Sequence, residues 1–533
     1  MISTIELLLG LLLAVAGLAL LARKLQIAYP IPLVIGGLLL GFVPGLPTLH
    51  LNPDLIFVLF LPPLLYPAAF FTPWREFHAN IGPILRLAIG LVLLTTVAVA
   101  WFAHQFMGFP LAAAFVLGAI ISPPDAIAAT AITQSLRVPR RIIAILDGES
   151  LGNDATSLTA YRFAVVAAVT GAFSLAEASV RFVLVVTGGI IVGLVMGWVV
   201  SSVQRRLDDP PVQTTLSLLT PYVTYLAAEK VHVSGVLAVV VAGLFIGWRA
   251  PEVFTSRMRL VAYSVWGMVV FILNGFIFIL IGLQLPEVVH GISRHSLGEA
   301  VWLAVLVVGL IIAVRFLWFF AAIYVPRAMS RVSRRPAPQP SWRHLALMSW
   351  AGMRGVDSLA AALALPLVTK SGAPFPDRAL IVFLTFSVIL ATLVLQGLSL
   401  TPIIRWLKIV DDSSLEEEER QARLKANQAG LAKLAEIARL RHVEAGVIGR
   451  LRAEYEDRIQ QLAAPEPGNG PTKLSLFSPE YEQLLKEILD EERRTILRLR
   501  NERIINDNVL RRIQRDIDLA EARLQPGGED SGI

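Results

Sequence analysis

Long apolar segments dominate the first three quarters of this chain and limit what it can fold into. About 13 stretches are apolar over enough length to cross roughly 30 Å of hydrocarbon. Inside lipid the backbone must satisfy its own hydrogen bonds, so such a series predicts an all-α polytopic membrane protein. The predicted spans are residues 4–22, 27–46, 54–71, 82–106, 109–134, 142–170, 179–204, 211–228, 232–249, 260–285, 299–326, 343–369 and 378–407.

Charge divides the chain into two predicted domains. Residues 1–410 carry 16 acidic and 27 basic side chains, whereas residues 411–533 carry 25 acidic and 20 basic ones. We therefore expect a transmembrane domain followed by a helical cytoplasmic C-terminal domain. Helical spacing predicts helices over about 479–505 and 507–524, with a turn at 464–471. The tail is expected either to pack or dimerise as a bundle, or to sense pH or a ligand.

The loops between the predicted spans differ in basic charge. Alternate loops hold sixteen Lys or Arg residues, and the opposite loops hold five. The positive-inside rule then predicts an N-terminus outside the cell membrane and a cytoplasmic tail. The first apolar segment lacks a preceding basic region, so we expect a spanning helix rather than a cleaved signal peptide. The chain has no cysteine, which excludes disulfides and thiolate chemistry.

Two adjacent prolines interrupt the fifth predicted span. Pro123 and Pro124 lack backbone donors and clash with the preceding turn, so the helix should break there. Asp125 would then begin a second half-helix, at its positive end. Broken helices are how secondary transporters expose backbone groups to an ion. The alternative is a simple proline kink with Asp125 as its cap.

The sixth predicted span contains the stretch "GESLGNDATSL", which is unusually polar for a membrane helix. Asn153 lies one turn beyond Glu149 on the same face, and Asp154 lies about 100° round from it. Asp154 can stay in the membrane by binding a proton, because loss of water disfavours its charge. It can also bind a cation, with neighbours such as Ser150 supplying oxygen ligands. The alternative is a buried structural acid.

A buried arginine predicts a buried anion as its partner. Arg315 is deep in the eleventh predicted span, and Glu149 is the first choice. If they pair, Asp154 remains as the working carboxylate. Asp147 shares the face of Asp154 nearer the helix end and is a further candidate. The alternative for Arg315 is snorkelling to the membrane interface.

The twelfth predicted span carries a second candidate break. Arg354 lies between Gly352 and Gly355 and would compensate the negative end of a half-helix. Asp357, three residues later, would pair with Arg354 at helical spacing. Arg162, eight residues after Asp154, is expected to be either a gate or part of a structural ion pair.

Together these residues resemble the monovalent cation/proton antiporter family, in its sodium/proton exchanger branch with an Asn-Asp motif. The matching segments are "GESLGNDATSL", "SPPDAIAATAI", "AGMRGVDSLAAALALP", "LPPLLYPAAF" and "NGFIFILIGLQLP", in order over about residues 5–410. The resemblance implies thirteen helices in two inverted repeats, two of them discontinuous, and a core that moves against a dimerisation domain. Pro67 stands where the family often has an acid, and Asp357 where it usually has an apolar residue.

By resemblance, Asp154 binds the ion and the proton, with Asn153 as its partner, and Ser150 and the backbone near Pro124 complete the site. The resemblance also implies groups that form an ion pair or neutralise half-helix ends, namely Glu149 with Arg315, Asp125, and Arg354.

We therefore expect a homodimeric exchanger of an alkali cation, first of all Na⁺, for H⁺, serving pH and cation homeostasis. One titrating carboxylate predicts one-for-one, electroneutral exchange, without cofactor or nucleic acid. The alternatives are K⁺/H⁺ exchange by the same mechanism, a cation channel, and a membrane aspartyl protease using Asp125 and Asp154. The chain lacks the phosphate-binding motif of a nucleotide-driven pump and the H-E-x-x-H motif of a zinc protease.

Overall fold

The structure is a computed structural model, which describes residues 2–25, 27–43, 53–125, 138–171, 174–290, 296–330, 341–370, 372–409, 414–440, 445–463 and 479–522. Nineteen helices form the described part of the chain. In the membrane part they are α1 (Ile2–Leu25), α2 (Pro30–Gly41), α3 (Pro53–Phe70), α4 (Trp74–Ala79), α5 (Ile81–Met107), α6 (Leu111–Ile121), α7 (Arg140–Thr170), α8 (Leu175–Gln204), α9 (Pro210–Lys230), α10 (Gly235–Val253), α11 (Ser256–His290), α12 (Leu297–Ser330), α13 (Trp342–Trp350), α14 (Val356–Leu363) and α15 (Arg378–Trp406). In the tail they are α16 (Ser414–Leu440), α17 (Ala445–Ala463), α18 (Pro479–Asn501) and α19 (Asp507–Ala522).

The apolar composition of these segments explains why they are helices that cross a membrane. Seven of the described helices are long and apolar enough to span a bilayer on their own. As far as the described residues reach, each predicted span falls on one helix or on one interrupted pair. The all-helical, multi-pass architecture is therefore confirmed. The count of thirteen spans and the inverted repeats stay predictions.

Local signals set several helix ends. The Ser234 hydroxyl accepts a hydrogen bond from the Leu237 amide at the start of α10, as an N-cap does. The Asp209 carboxylate likewise accepts from Val212 before α9. Gly171 ends α7 in the left-handed conformation that glycine adopts without strain.

Close backbone contact joins α2 to α11. A Cβ atom placed on Gly37 would collide with the Ile279 carbonyl, and one on Gly282 would collide with the Val34 carbonyl. Small residues allow this approach, which membrane helices use because lipid provides little hydrophobic drive for their association. The two helices therefore pack tightly against each other.

The tail has an apolar core of its own. Helices α16 to α19 bury Tyr455, Ile488 and Leu510, each less than 1% exposed. The predicted helices over 479–505 and 507–524 correspond to α18 and α19. The turn predicted at 464–471 lies outside the described residues.

The tail docks on helix ends of the membrane part. Arg259, at the start of α11, makes a buried bidentate ion pair with Asp518 of α19. The Arg259 Nε donates to the Asp518 Oδ2 at 2.7 Å. Arg511 donates to the carbonyl of Thr72 at 3.1 Å. Three further pairs join the tail to the same side, namely Asp507 with the Arg75 amide, Glu418 with Arg140, and Arg500 with Glu252. The tail therefore contacts the side of the molecule that carries the most basic loops.

Candidate functional site

Helix α7 buries the polar stretch that the sequence singled out. Glu149, Asn153 and Asp154 are 1%, 0% and 2% exposed. Gly152 lets α5 approach this face, since a Cβ atom there would lie 2.8 Å from the Cβ of Ala88. The three polar side chains are thus held away from water, and each needs a partner within the protein or a bound ion.

The first predicted helix break is present beside Asn153. Helix α6 ends at Ile121, and residues 122–125 are not helical. The Asn153 side-chain nitrogen donates to the Pro124 carbonyl at 2.6 Å, so this amide fixes the unwound segment to α7. The side-chain oxygen of Asn153, Oδ1, is buried without a hydrogen-bond partner among the described residues. The half-helix expected after Asp125 lies outside those residues.

The second predicted break, at residues 351–355, separates α13 from α14 and crosses the first. The Asp125 amide donates to the Met353 carbonyl at 2.7 Å, which joins the two unwound segments. The Arg354 amide donates to the Thr392 hydroxyl at 3.0 Å. Thr392 begins a π-helical turn in α15, a distortion often found at functional sites. Our sequence reasoning missed Thr392, although a threonine in so apolar a helix is a usable signal.

Each of the two breaks carries one charged side chain, and that side chain lies at the end of a helix that borders the other break. The Arg354 guanidinium donates to the Ile121 carbonyl at 3.1 Å and to Gly352, so it compensates the negative end of α6. The Asp125 carboxylate lies against Gly355, where an added Cβ atom would overlap it. Gly355 precedes α14, so Asp125 faces the positive end of that helix. Both charges therefore compensate helix ends across the crossing.

Arg315 has the buried partner that was expected. Its two terminal nitrogens donate to the two Glu149 oxygens at 2.5 and 2.7 Å, and its Nε donates to the Met348 carbonyl at 3.1 Å. The side chain is 2% exposed, so the snorkelling alternative for Arg315 is wrong. Glu149 therefore pairs with Arg315. Gly352 is small because Arg315 passes directly over it.

The expected pairing of Asp357 with Arg354 is wrong. Arg354 lies in the unwound segment before α14, so the two residues do not share a helical face. Its guanidinium is occupied by backbone carbonyls instead. The Asp357 carboxyl group lies within hydrogen-bond distance of the Asp154 carboxyl group. A second acid therefore stands beside the one singled out from the sequence.

The remaining candidates lie along α7. Asp147 and Ser150 are half-buried, in the turns before Asp154. Arg162 is 55% exposed and pairs with Glu229 of α9 at 2.7 Å, which is the ion pair that the sequence left as one of two alternatives. An ion pair this exposed contributes little stability.

The crossing brings oxygen atoms together in a region shielded from water. The Pro124 carbonyl, the Asn153 side-chain carbonyl and the carboxyl groups of Asp154 and Asp357 are the ligand types that hard cations prefer. Among the described residues, no three His, Cys, Asp or Glu side chains are arranged to hold a metal ion. Two carboxyl groups and neutral oxygens can carry a proton or a cation of low charge.

Known proteins are similar to this chain in sequence and in fold. The profile of the family described as "Sodium/hydrogen exchanger, transmembrane" matches residues 10–406. An uncharacterized Na⁺/H⁺ exchanger of Mycobacterium bovis is 37% identical over 509 residues, covering 95% of this chain and 93% of that protein. A sodium, potassium, lithium and rubidium/H⁺ antiporter of Bacillus pumilus is 38% identical, covering 70% of this chain and 57% of that protein.

Solved structures agree on the fold. The sodium proton antiporter MjNhaP1 of Methanocaldococcus jannaschii superposes with a TM-score of 0.61 at 21% identity, over 77% of this chain and 99% of that one. At this identity the similarity shows the fold alone. The match over residues 10–406 and the extended similarity to named exchangers show that the chain belongs to the sodium/hydrogen exchanger family.

Proposed function

We propose that this protein exchanges Na⁺ for H⁺ across a membrane and that Asp154 carries both ions in turn. The observation that carries the proposal is the place of Asp154, 2% exposed beside a buried Asn153 oxygen that has no hydrogen-bond partner among the described residues. Glu149 is engaged with Arg315, and the Arg354 guanidinium is engaged with carbonyls. Neither of these arginine contacts neutralises Asp154, so a proton or a cation is needed.

One-for-one, electroneutral exchange is part of the proposal. Asp154 alternates between one proton and one monovalent cation, so each cycle moves no net charge. Proteoliposomes in which the Na⁺ and H⁺ gradients point in the same direction test it, because the two gradients then drive the exchange in opposite senses. We expect zero net flux when the two gradients are equal in size, at any membrane potential. A null point that moves with voltage would refute electroneutrality.

The primary test compares the wild type with Asp154→Asn in proteoliposomes containing a pH-sensitive dye. A proton gradient is imposed, and Na⁺, Li⁺ or K⁺ is then added separately. We expect cation-driven dissipation that Asp154→Asn abolishes and that Asp377→Asn, a matched change at the start of α15, leaves intact. Full exchange by Asp154→Asn would refute the assignment. Cation flux without proton movement would indicate a channel instead.

The Bacillus pumilus relative makes K⁺ a specific second candidate, because it is named as an antiporter of sodium, potassium, lithium and rubidium. Separate addition of Na⁺ and K⁺ in the same assay distinguishes the two. If K⁺ dissipates the proton gradient at lower concentrations than Na⁺ does, K⁺ replaces Na⁺ as the proposed substrate.

We also propose a homodimer in the cell membrane with an external N-terminus and a cytoplasmic tail, acting in pH and cation homeostasis. The tail supports this orientation, since it contacts Arg75, Arg140 and Arg259 in the loops with most basic charge. The chain has no native cysteine, so single substitutions can be labelled with an impermeant maleimide. We expect labelling of Lys370→Cys, but not of Arg206→Cys, in intact cells. The reverse pattern would refute the orientation.

A further inference from the structure

Asp357 is an acid that the family resemblance does not account for. It lies in the first turn of α14, two residues after the unwound segment at 351–355. The structure places it beside Asp154, although the two residues are far apart in sequence. The crossing of the two breaks therefore brings α14 and α7 together through a pair of carboxyl groups.

The charged groups around Asp357 explain why this acid remains available to an ion. Asp125 lies near both carboxyl groups of the pair and adds negative charge. Arg354, the nearest arginine in sequence, donates to the Ile121 carbonyl from Nε and to Gly352 from a terminal nitrogen. The pair thus has a third acid near it, whereas the Arg354 guanidinium is directed to the end of α6.

Two carboxyl groups can share a hydrogen bond only when one of them carries a proton. If that proton leaves, two carboxylates face each other in a buried site, and their repulsion is large unless a cation lies between them. The unpartnered carbonyl oxygen of Asn153 points independently to a ligand, because buried polar atoms normally have a partner. A monovalent cation would satisfy all three side chains.

We propose that Asp357 is a direct ligand of the transported cation, sharing it with Asp154 and the Asn153 carbonyl oxygen. The proposal rests on the exchange function assigned above and adds a second carboxylate to its site. The pair carries one net negative charge with either one proton or one monovalent cation bound. A second carboxylate is therefore compatible with one-for-one exchange, and it determines how strongly the cation is held.

The test removes the carboxylate while keeping the protein folded. Asp357→Asn retains the shape of the side chain, Asp357→Val removes its polarity, and Asp357→Glu keeps a carboxylate at a different reach. We expect the apparent KM for Na⁺ to rise about tenfold or more in Asp357→Asn and Asp357→Val, where tenfold corresponds to ~1.4 kcal/mol. We expect Asp357→Glu to keep exchange but change the order of preference among Li⁺, Na⁺ and K⁺.

A binding measurement separates a ligand from a structural residue. A bound cation raises the unfolding temperature of the folded protein by mass action. We expect Na⁺ to raise the unfolding temperature of the purified wild type and of the matched control Asp377→Asn, and to have little effect on Asp357→Asn. Unfolding temperatures measured without Na⁺ show whether each variant is folded.

The Asp154 and Asp357 variants together show whether a failure concerns Asp357 as a ligand or the proposed exchange site itself. If Asp154→Asn abolishes exchange while all three Asp357 variants keep the wild-type KM, cation order and Na⁺-dependent stabilisation, Asp357 is not a ligand and the exchange function stands. If Asp154→Asn retains exchange, the proposed site itself is wrong.

Discussion

Breaking the buried ion pair of Glu149 and Arg315 should lower the stability of the protein. Both side chains are at most 2% exposed, and two hydrogen bonds join them. The substitution Glu149→Gln keeps the size of the side chain but removes its charge. Arg315 then remains buried with its bond to the Met348 carbonyl and without a counter-charge. We expect a marked loss of stability.

The size of that loss follows from burial. Removing one partner of a buried ion pair costs about 3–5 kcal/mol, because the remaining charge has neither water nor a counter-ion. A loss of this size lowers the unfolding temperature by about 6–20 °C in a domain of about 150–250 residues. Replacing both partners by uncharged residues removes the stranded charge, so the double variant should be less impaired than the sum of its parts.

A double-mutant cycle in detergent tests this reasoning. Thermal unfolding at one fixed scan rate is compared for Glu149→Gln, Arg315→Met and the double variant, since irreversible unfolding depends on scan rate. We expect each single variant to unfold well below the wild type, and the double variant to unfold at a higher temperature than the sum of the two single shifts predicts. Additive effects would show that the pair does not act as a unit and would refute the argument.

Three further predictions concern other contacts. Gly352→Ala should lower the unfolding temperature, because its methyl group would overlap the Arg315 side chain; an unchanged value would contradict the close packing. Asp518→Asn should speed tryptic cleavage of the tail in the full-length protein, because it weakens the buried contact with Arg259. Burial raises the pKa of Glu492 in the tail, so its stabilising contribution is present below about pH 4.5 and is lost as pH rises through the higher folded pKa. Glu492→Gln should therefore slow cleavage of the tail more at pH 8 than at pH 5, and equal effects at both pH values would contradict this sign.

The two helix breaks could be predicted because their causes are local. Pro123 and Pro124 remove backbone donors wherever the rest of the chain lies, and the glycines around Arg354 weaken a helix in the same local way. The partner of Arg315 was predictable because a buried cation requires an anion and Glu149 is an acid inside another predicted span. These inferences need only the sequence and the low polarity of the membrane.

The partner of Asp357 could not be predicted in this way. Helical spacing linked Asp357 to Arg354, but spacing has meaning only within one continuous helix, and α14 begins after Arg354. The true neighbour, Asp154, lies on α7, and only the crossing of two unwound segments brings the acids together. Arg354 does lie at the negative end of a helix, as expected. Which helix it contacts, namely α6, could be seen only in the tertiary structure.

The two buried arginines near the crossing have other partners, which leaves Asp154 and Asp357 available to bind an ion. Arg315 is engaged by Glu149, and Arg354 by the carbonyls that end α6. Both buried arginines are therefore committed to holding the two broken helices in place. Asp154 and Asp357 lie next to each other as a carboxyl pair, and burying that pair fully ionised is unfavourable. A proton or a cation must accompany it, and competition between the two for one pair is sufficient to couple their movements.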